Sequence, residues 1–202
     1  MKLSSRDRTL LLLTTLLASY QVSAGIDGFT ALPIVAYTIA FGVILVAALL
    51  IFILGMEVLD LPIVVIVSTI IPLSLSVGLV WQHLASLRTG YLIFAIIGFL
   101  AVTLTRSIHM QNKLPVITLA VTHGVAGLMI FLLPIILAIQ TQAKPWFALV
   151  GIGGGLIGLA GLLLSFRKTG LQIGSRESLM KFFPTLLLLT TAFFVAGFKF
   201  GG

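Results

Sequence analysis

The chain has 202 residues, of which 59% are hydrophobic and only 8% charged, against about 25% charged in an average soluble domain. So few charges cannot cover a water-facing surface, and a mean hydropathy of +1.25 makes lipid the solvent for most of it. The net charge of +7 does not point to nucleic acid, because the twelve Lys and Arg residues are strung between apolar runs rather than gathered with aromatics in one patch.

The chain has no cysteine, which excludes disulfides, thiol redox chemistry, iron–sulfur ligation and thiolate zinc sites. The expected fold is all-α, a polytopic transmembrane helix bundle. Residues 1–27 form a basic segment and a hydrophobic helix, and residues 28–202 a single membrane domain. In the first part, Lys2, Arg6 and Arg8 precede the apolar run Thr9–Ala18, followed by Val22, Ser23, Ala24 and Gly25. That pattern fits a signal peptide with a small-residue cleavage site. It fits equally a retained seventh helix over about residues 9–25, short but able to cross with tilt or local thinning.

Beyond it, uncharged stretches run Gly28–Met56, Leu61–Leu87, Thr89–Thr105, Leu114–Ala143, Pro145–Phe166 and Phe182–Phe198. Each reaches the lower limit of about 17 residues for a helix that crosses the hydrocarbon core. Six spanning helices are expected, over 33–55, 62–82, 89–106, 115–138, 146–166 and 182–199. Pro33, Pro62, Pro115, Pro145 and Pro184 fall at or near their first turns, where the missing N–H costs nothing. Pro72 and Pro134 fall inside helices and should kink them, with Ser68, Thr69, Ser74 and Ser76 placed to satisfy carbonyls freed by the first kink.

A basic N-terminus inside, with sides then alternating, puts Lys2, Arg6, Arg8, Arg106, Lys113, Arg167, Lys168, Arg176 and Lys181 inside. Only Arg88, Lys144 and Lys199 fall outside, an asymmetry that follows the positive-inside rule. The expected topology is N-terminus in and C-terminus out if nothing is cleaved. The membrane is the plasma membrane of a bacterium or an organellar or thylakoid membrane. The one sizeable loop is expected over 167–181.

The fifth spanning stretch carries Gly151, Gly154, Gly155, Gly158 and Gly161, with GxxxG spacing at Gly151/Gly155 and Gly154/Gly158. Small residues so spaced let helix backbones approach closely. The face is expected to pack helices, within the chain or against another subunit or copy.

Three histidines are candidates for chemistry. His123 lies deep in a helix, on one face with Gly127 and Pro134. A polar ring at that depth is either a satisfied interhelical hydrogen bond or a cofactor or substrate contact. His83 shares a face with Ser68 and Ser76, so Ser68, Ser76, His83 and His123 are the candidate lining of a polar path. The alternative is packing glue capped by an interfacial belt at Trp81, Gln82 and His83. His109 sits between Arg106 and Lys113 near the inner surface. The three histidines lie at different depths, which argues against one haem held by two of them. Asp7, Asp27, Glu57, Asp60 and Glu177 are the only acids, none central in a helix, so carboxylate-driven ion coupling and aspartyl proteolysis lack their residues.

The reading that follows is a non-enzymatic multi-pass protein, an accessory, assembly or scaffold subunit working by helix packing. Its partners are the lipid bilayer and other membrane-protein subunits or itself. The alternatives are a small-solute permease or channel lined by the Ser68–Ser76 face and His123, and a haem- or pigment-binding electron-transfer subunit that uses His123 as ligand.

Overall fold

The computed structural model describes residues 3–108, 112–166 and 176–201, with side chains of 159–166 and 176–179 outside the description. Among the described residues the chain is helical throughout, with no strand. The α-helices are α1 Ser5–Ala24, α2 Ala31–Leu54, α3 Pro62–His83, α4 Arg88–Ser107, α5 Leu114–Ile139, α6 Ala148–Phe166 and α7 Arg176–Gly201. Five of them (α2, α3, α4, α5 and α7) contain stretches long and apolar enough to cross a membrane, and the described part of α6 is a shorter apolar helix.

Local chemistry sets the ends. At the start of α1 the Ser4 hydroxyl accepts from the Asp7 N–H at 3.1 Å, and the Asp7 carboxylate accepts from the Ser4 N–H at 2.9 Å. This reciprocal box satisfies two groups that would otherwise be orphaned. Gly25 and Gly55 end α1 and α2 with φ of 76° and 89°, left-handed values that side chains with a Cβ avoid. Helices α3 and α5 carry proline in their first turns. Two expectations fail here. Residues 176–181, expected as loop, are the first turns of α7, so Pro184 lies inside that helix and not at its start. The remainder of that loop, together with His109, falls outside the described residues.

Successive helices pack against each other through short connections, so they run up and down. Contacts also join α3 to α5 and α1 to α7. The order around the bundle is therefore a closed ring, α1–α2–α3–α5–α6–α7, with α4 outside it in the groove between α3 and α5. Helix α1 is one wall of that ring, burying Leu11, Thr14, Thr15, Ala18 and Gln21. The starts of α1, α3, α5 and α7 share what we call the basic end. The starts of α2, α4 and α6 share the opposite end.

The ring is filled. One cluster joins Tyr37, Phe41 and Ile44 of α2 to Leu75 and Leu79 of α3, Ile130 and Leu133 of α5, Val150 of α6 and Phe194 and Phe198 of α7. A second, nearer the basic end, seals α1 to α2 and α7 through Leu11, Ile51 and Met56 with Met180, Phe183 and Leu187. Outside, bare apolar side chains such as Ile39, Ile53, Ile97, Leu104 and Ile117 stay exposed, a surface suited to lipid and not to water.

Candidate functional site

The opposite end of the ring is closed by rings. Phe29, on the connection before α2, stands edge-on to Tyr37 at 5.4 Å and to Phe198 at 6.0 Å. His83, the last residue of α3, stacks obliquely on Phe147 at 5.4 Å and lies edge-on to Phe29 at 6.5 Å. Tyr37 and Phe198 approach to 4.3 Å. Edge-to-face and tilted pairs at these separations are the favourable aromatic geometries. Tyr37 can lie this deep because Gly78 on α3 has no side chain, and a Cβ there would fall on the tyrosine ring. Two polar atoms enter the plug without partners, the Tyr37 hydroxyl and His83 Nε2.

The glycines of α6 serve two neighbours. A Cβ on Gly151 would sit 2.6 Å from the Phe131 carbonyl oxygen, and one on Gly154 2.6 Å from Ile130 Cγ2. One on Gly155 would lie 3.0 Å from the Phe131 ring. All three face α5. Gly153 faces α7, 3.0 Å from Phe194, and Gly197 and Gly201 of α7 return the fit against Val150 and Phe147. Gly158 is different, with no atom of the described residues within 4 Å of its Cβ position. The surroundings of Gly161 lie outside the described residues.

The four residues expected along a polar path are not brought together. The Ser68 hydroxyl donates to the Val65 carbonyl at 3.0 Å, and that of Ser76 donates to its own helix, 2.6 Å from the Pro72 carbonyl. Neither reaches the Ser68 carbonyl, the one that Pro72 leaves without its N–H partner. Ser76 is buried on α3 next to Val77, which packs with Tyr91 of α4, whereas His83 is in the plug. Between them Leu79 and Val80 are buried.

His123 is on α5 in the half of the bundle towards the basic end. Its ring is partly buried, and Nδ1 is enclosed without a hydrogen-bond partner. Leu119 is one turn back on α5, and Arg106 is in the last turn of α4 at the same end of the bundle. Arg106 itself has a buried Nε without a partner. The Cβ positions of Gly124 and Gly127 on the same helix have nothing within 4 Å, and Gly124 is exposed on the outer surface of the bundle. Among the described residues no three His, Asp or Glu side chains converge as a metal site would need.

On the bundle's flank a groove of about 410 Å³ runs over α3 between α2 and α4. Its walls are Leu32, Val35, Ile39, Leu92, Ile96 and Leu100, and small side chains, Ala36, Ser74 and Ala95, help form its floor. Periodicity gave no warning of it, because the groove comes from α4 standing outside the ring.

No family model, curated protein or solved structure matches this chain.

Proposed function

We propose that this is a non-enzymatic, multi-pass membrane protein, an accessory or assembly subunit that packs against a transmembrane helix of another membrane protein. The groove over α3 carries the reading. It opens sideways, where a partner helix in the bilayer would arrive. Its floor of Ala36, Ser74 and Ala95 permits the close backbone approach on which membrane helix pairs depend. The filled ring supports the same reading over a permease, because the aromatic plug and the self-bonded serines leave the interior a packing core.

Ala95→Trp fills the groove, and Ile97→Trp places the same bulk on the exposed, lipid-facing side of α4. With purification from native membranes in mild detergent, we expect Ile97→Trp to retain the wild-type set of co-purifying membrane proteins. Ala95→Trp should lose a member of it while eluting as a folded protein. Identical sets for both variants would sink the proposal.

The orientation proposed with it puts the basic end, with Arg106 and Lys113, on the cytoplasmic or stromal side of a bacterial plasma, organellar or thylakoid membrane. Single cysteines at Asn112 and Gln142, exposed on connections at opposite ends, should then react with an impermeant thiol reagent from opposite sides. Asn112→Cys should react only after the inner side is opened. Labelling of Asn112→Cys in sealed cells would reverse the orientation.

A further inference from the structure

We propose that Phe29 sits in the seat of a ligand, a neutral six-membered ring bearing carbonyl or hydroxyl oxygens, as in a quinone head group. This one side chain, from a non-helical connection, meets four rings of the bundle. Its centroid lies 5.4 Å from that of Tyr37, 6.0 Å from Phe198, 6.2 Å from Phe147 and 6.5 Å from His83. The four also pack on one another, Tyr37 on Phe198 at 4.3 Å and His83 on Phe147 at 5.4 Å. They stay as a socket when Phe29 swings away, and an apolar cavity of about 150 Å³ is enough to take up benzene. Two atoms make the socket more than an apolar hole. Tyr37 is fully buried, yet its hydroxyl has no hydrogen-bond partner, and neither has His83 Nε2. A hydroxyl so placed costs stability, and Phe29 has nothing to offer it. A ring with oxygens on its rim supplies both the packing surface and the missing partners.

Charge selects among ring ligands. Among the described residues, Arg88, Lys144 and Lys199 stand at this end against Asp27 alone, which disfavours an organic cation. A carboxylate buried among aromatic rings would carry a high desolvation cost. A neutral ring incurs neither penalty. Phe29 is also held so that it can leave. Among the described residues, the backbone N–H groups of 26–29 make no hydrogen bond. The segment is tied at its ends, where the Gly25 carbonyl accepts from Gln21 Nε2 at 2.8 Å. At the other end Thr30 donates to Gln82 Oε1, from its N–H at 3.2 Å and its hydroxyl at 3.1 Å. Ile26 is buried, and Gly28, with φ of 85°, is the hinge between that anchor and Phe29. So few hydrogen bonds make local opening here far cheaper than unfolding a helix.

The test uses the full chain in mild detergent, with ubiquinone-1 as probe and toluene as a ring without oxygens. The chain has no cysteine, so the quinone meets no thiol, and Asp27→Cys can carry a fluorophore that reports movement of the segment. Wild type should bind ubiquinone-1 saturably, seen as a higher unfolding temperature and a change in that fluorescence. Phe29→Ala should bind it about tenfold more tightly, because the ligand no longer has to displace the side chain. Tyr37→Phe should bind about tenfold more weakly, the loss of one hydrogen bond. His83→Phe, which keeps a ring on Phe147, should also weaken it. Trp146→Leu, at an exposed ring beside Phe147, should match wild type. Absence of saturable binding to wild type overturns the proposal. So does a Phe29→Ala variant that binds no more tightly than wild type, or a Tyr37→Phe variant that binds equally well. Protection of wild type by toluene as strong as that by ubiquinone-1 overturns it too, since the polar atoms would then play no part. Should Phe29→Ala fail to fold, Phe29→Leu leaves a smaller hole and is held to the same outcome.

Discussion

Gly154→Leu is expected to destabilise the protein severely, whereas Gly158→Leu, one turn further along α6, should be close to neutral. The two positions share one GxxxG pattern and one helix face. They differ in what stands opposite. A Cβ at Gly154 meets Ile130 Cγ2 at 2.6 Å and the Ile130 backbone carbon at 3.3 Å, while one at Gly158 meets nothing within 4 Å. Inserting carbon into a packed contact costs about 1–3 kcal/mol by displacement alone. A leucine at Gly154 must also part α5 from α6. Gly151→Leu should be as damaging, because the obstacle there is the Phe131 backbone carbonyl, which cannot rotate away. Urea or SDS titrations in mild detergent would read the three variants. Equal losses at Gly154 and Gly158 would mean that a neighbour stands on Gly158, against the open space at its Cβ position.

Two changes at Tyr37 should move stability in opposite directions. Tyr37→Ala empties the centre of the plug, removing the ring that Phe29 and Phe198 pack upon and that lies on Gly78. Deleting a buried aromatic costs about 3–5 kcal/mol. Tyr37→Phe keeps every ring contact and removes only a buried hydroxyl that has no partner. Removing such a group spares its desolvation cost, about 1–3 kcal/mol, so this variant should be more stable than wild type. The same titration measures both. A destabilised Tyr37→Phe would mean that the hydroxyl is hydrogen-bonded, to a water or a ligand within the plug.

The long apolar helices were legible because a chain meant for hydrocarbon shows length and apolarity, and the expected ends of α2 to α6 fall within a few residues of those found. The start of α7 was not, since Arg176, Glu177 and Lys181 look like loop when only charge marks the boundary. The helix carries them all the same. The glycine face of α6 could be read from spacing, but its division between α5 and α7, and the open flank at Gly158, could not. Ring order was hidden for a related reason. Helices such as α2 are apolar all round, so no stripe of polarity says which side meets which neighbour. The plug was missed because its members, Phe29, Tyr37, His83, Phe147 and Phe198, come from five separate places in the chain. Only the crowding of aromatics near one set of helix ends could have hinted at it. Arg106 was counted as a topology signal, and the enclosure of its Nε depends on how α4 lies against its neighbours.

The closure of α1 on α7 has a consequence for biosynthesis. Arg6 reaches Thr185 at 3.5 Å, and Leu11 shares a cluster with Met180, Phe183 and Leu187. A helix made early on the ribosome thus finds part of its burial only in the last one to be made. While α2 to α6 are being made, the flank of α1 that carries Arg6 and Leu11 has no α7 beside it. Contacts between segments so far apart in the chain form late and slowly. The vulnerable species during synthesis is therefore an unsealed crescent of helices, and a ribosome stalled before α7 would release a chain with two raw edges for the quality-control machinery to find.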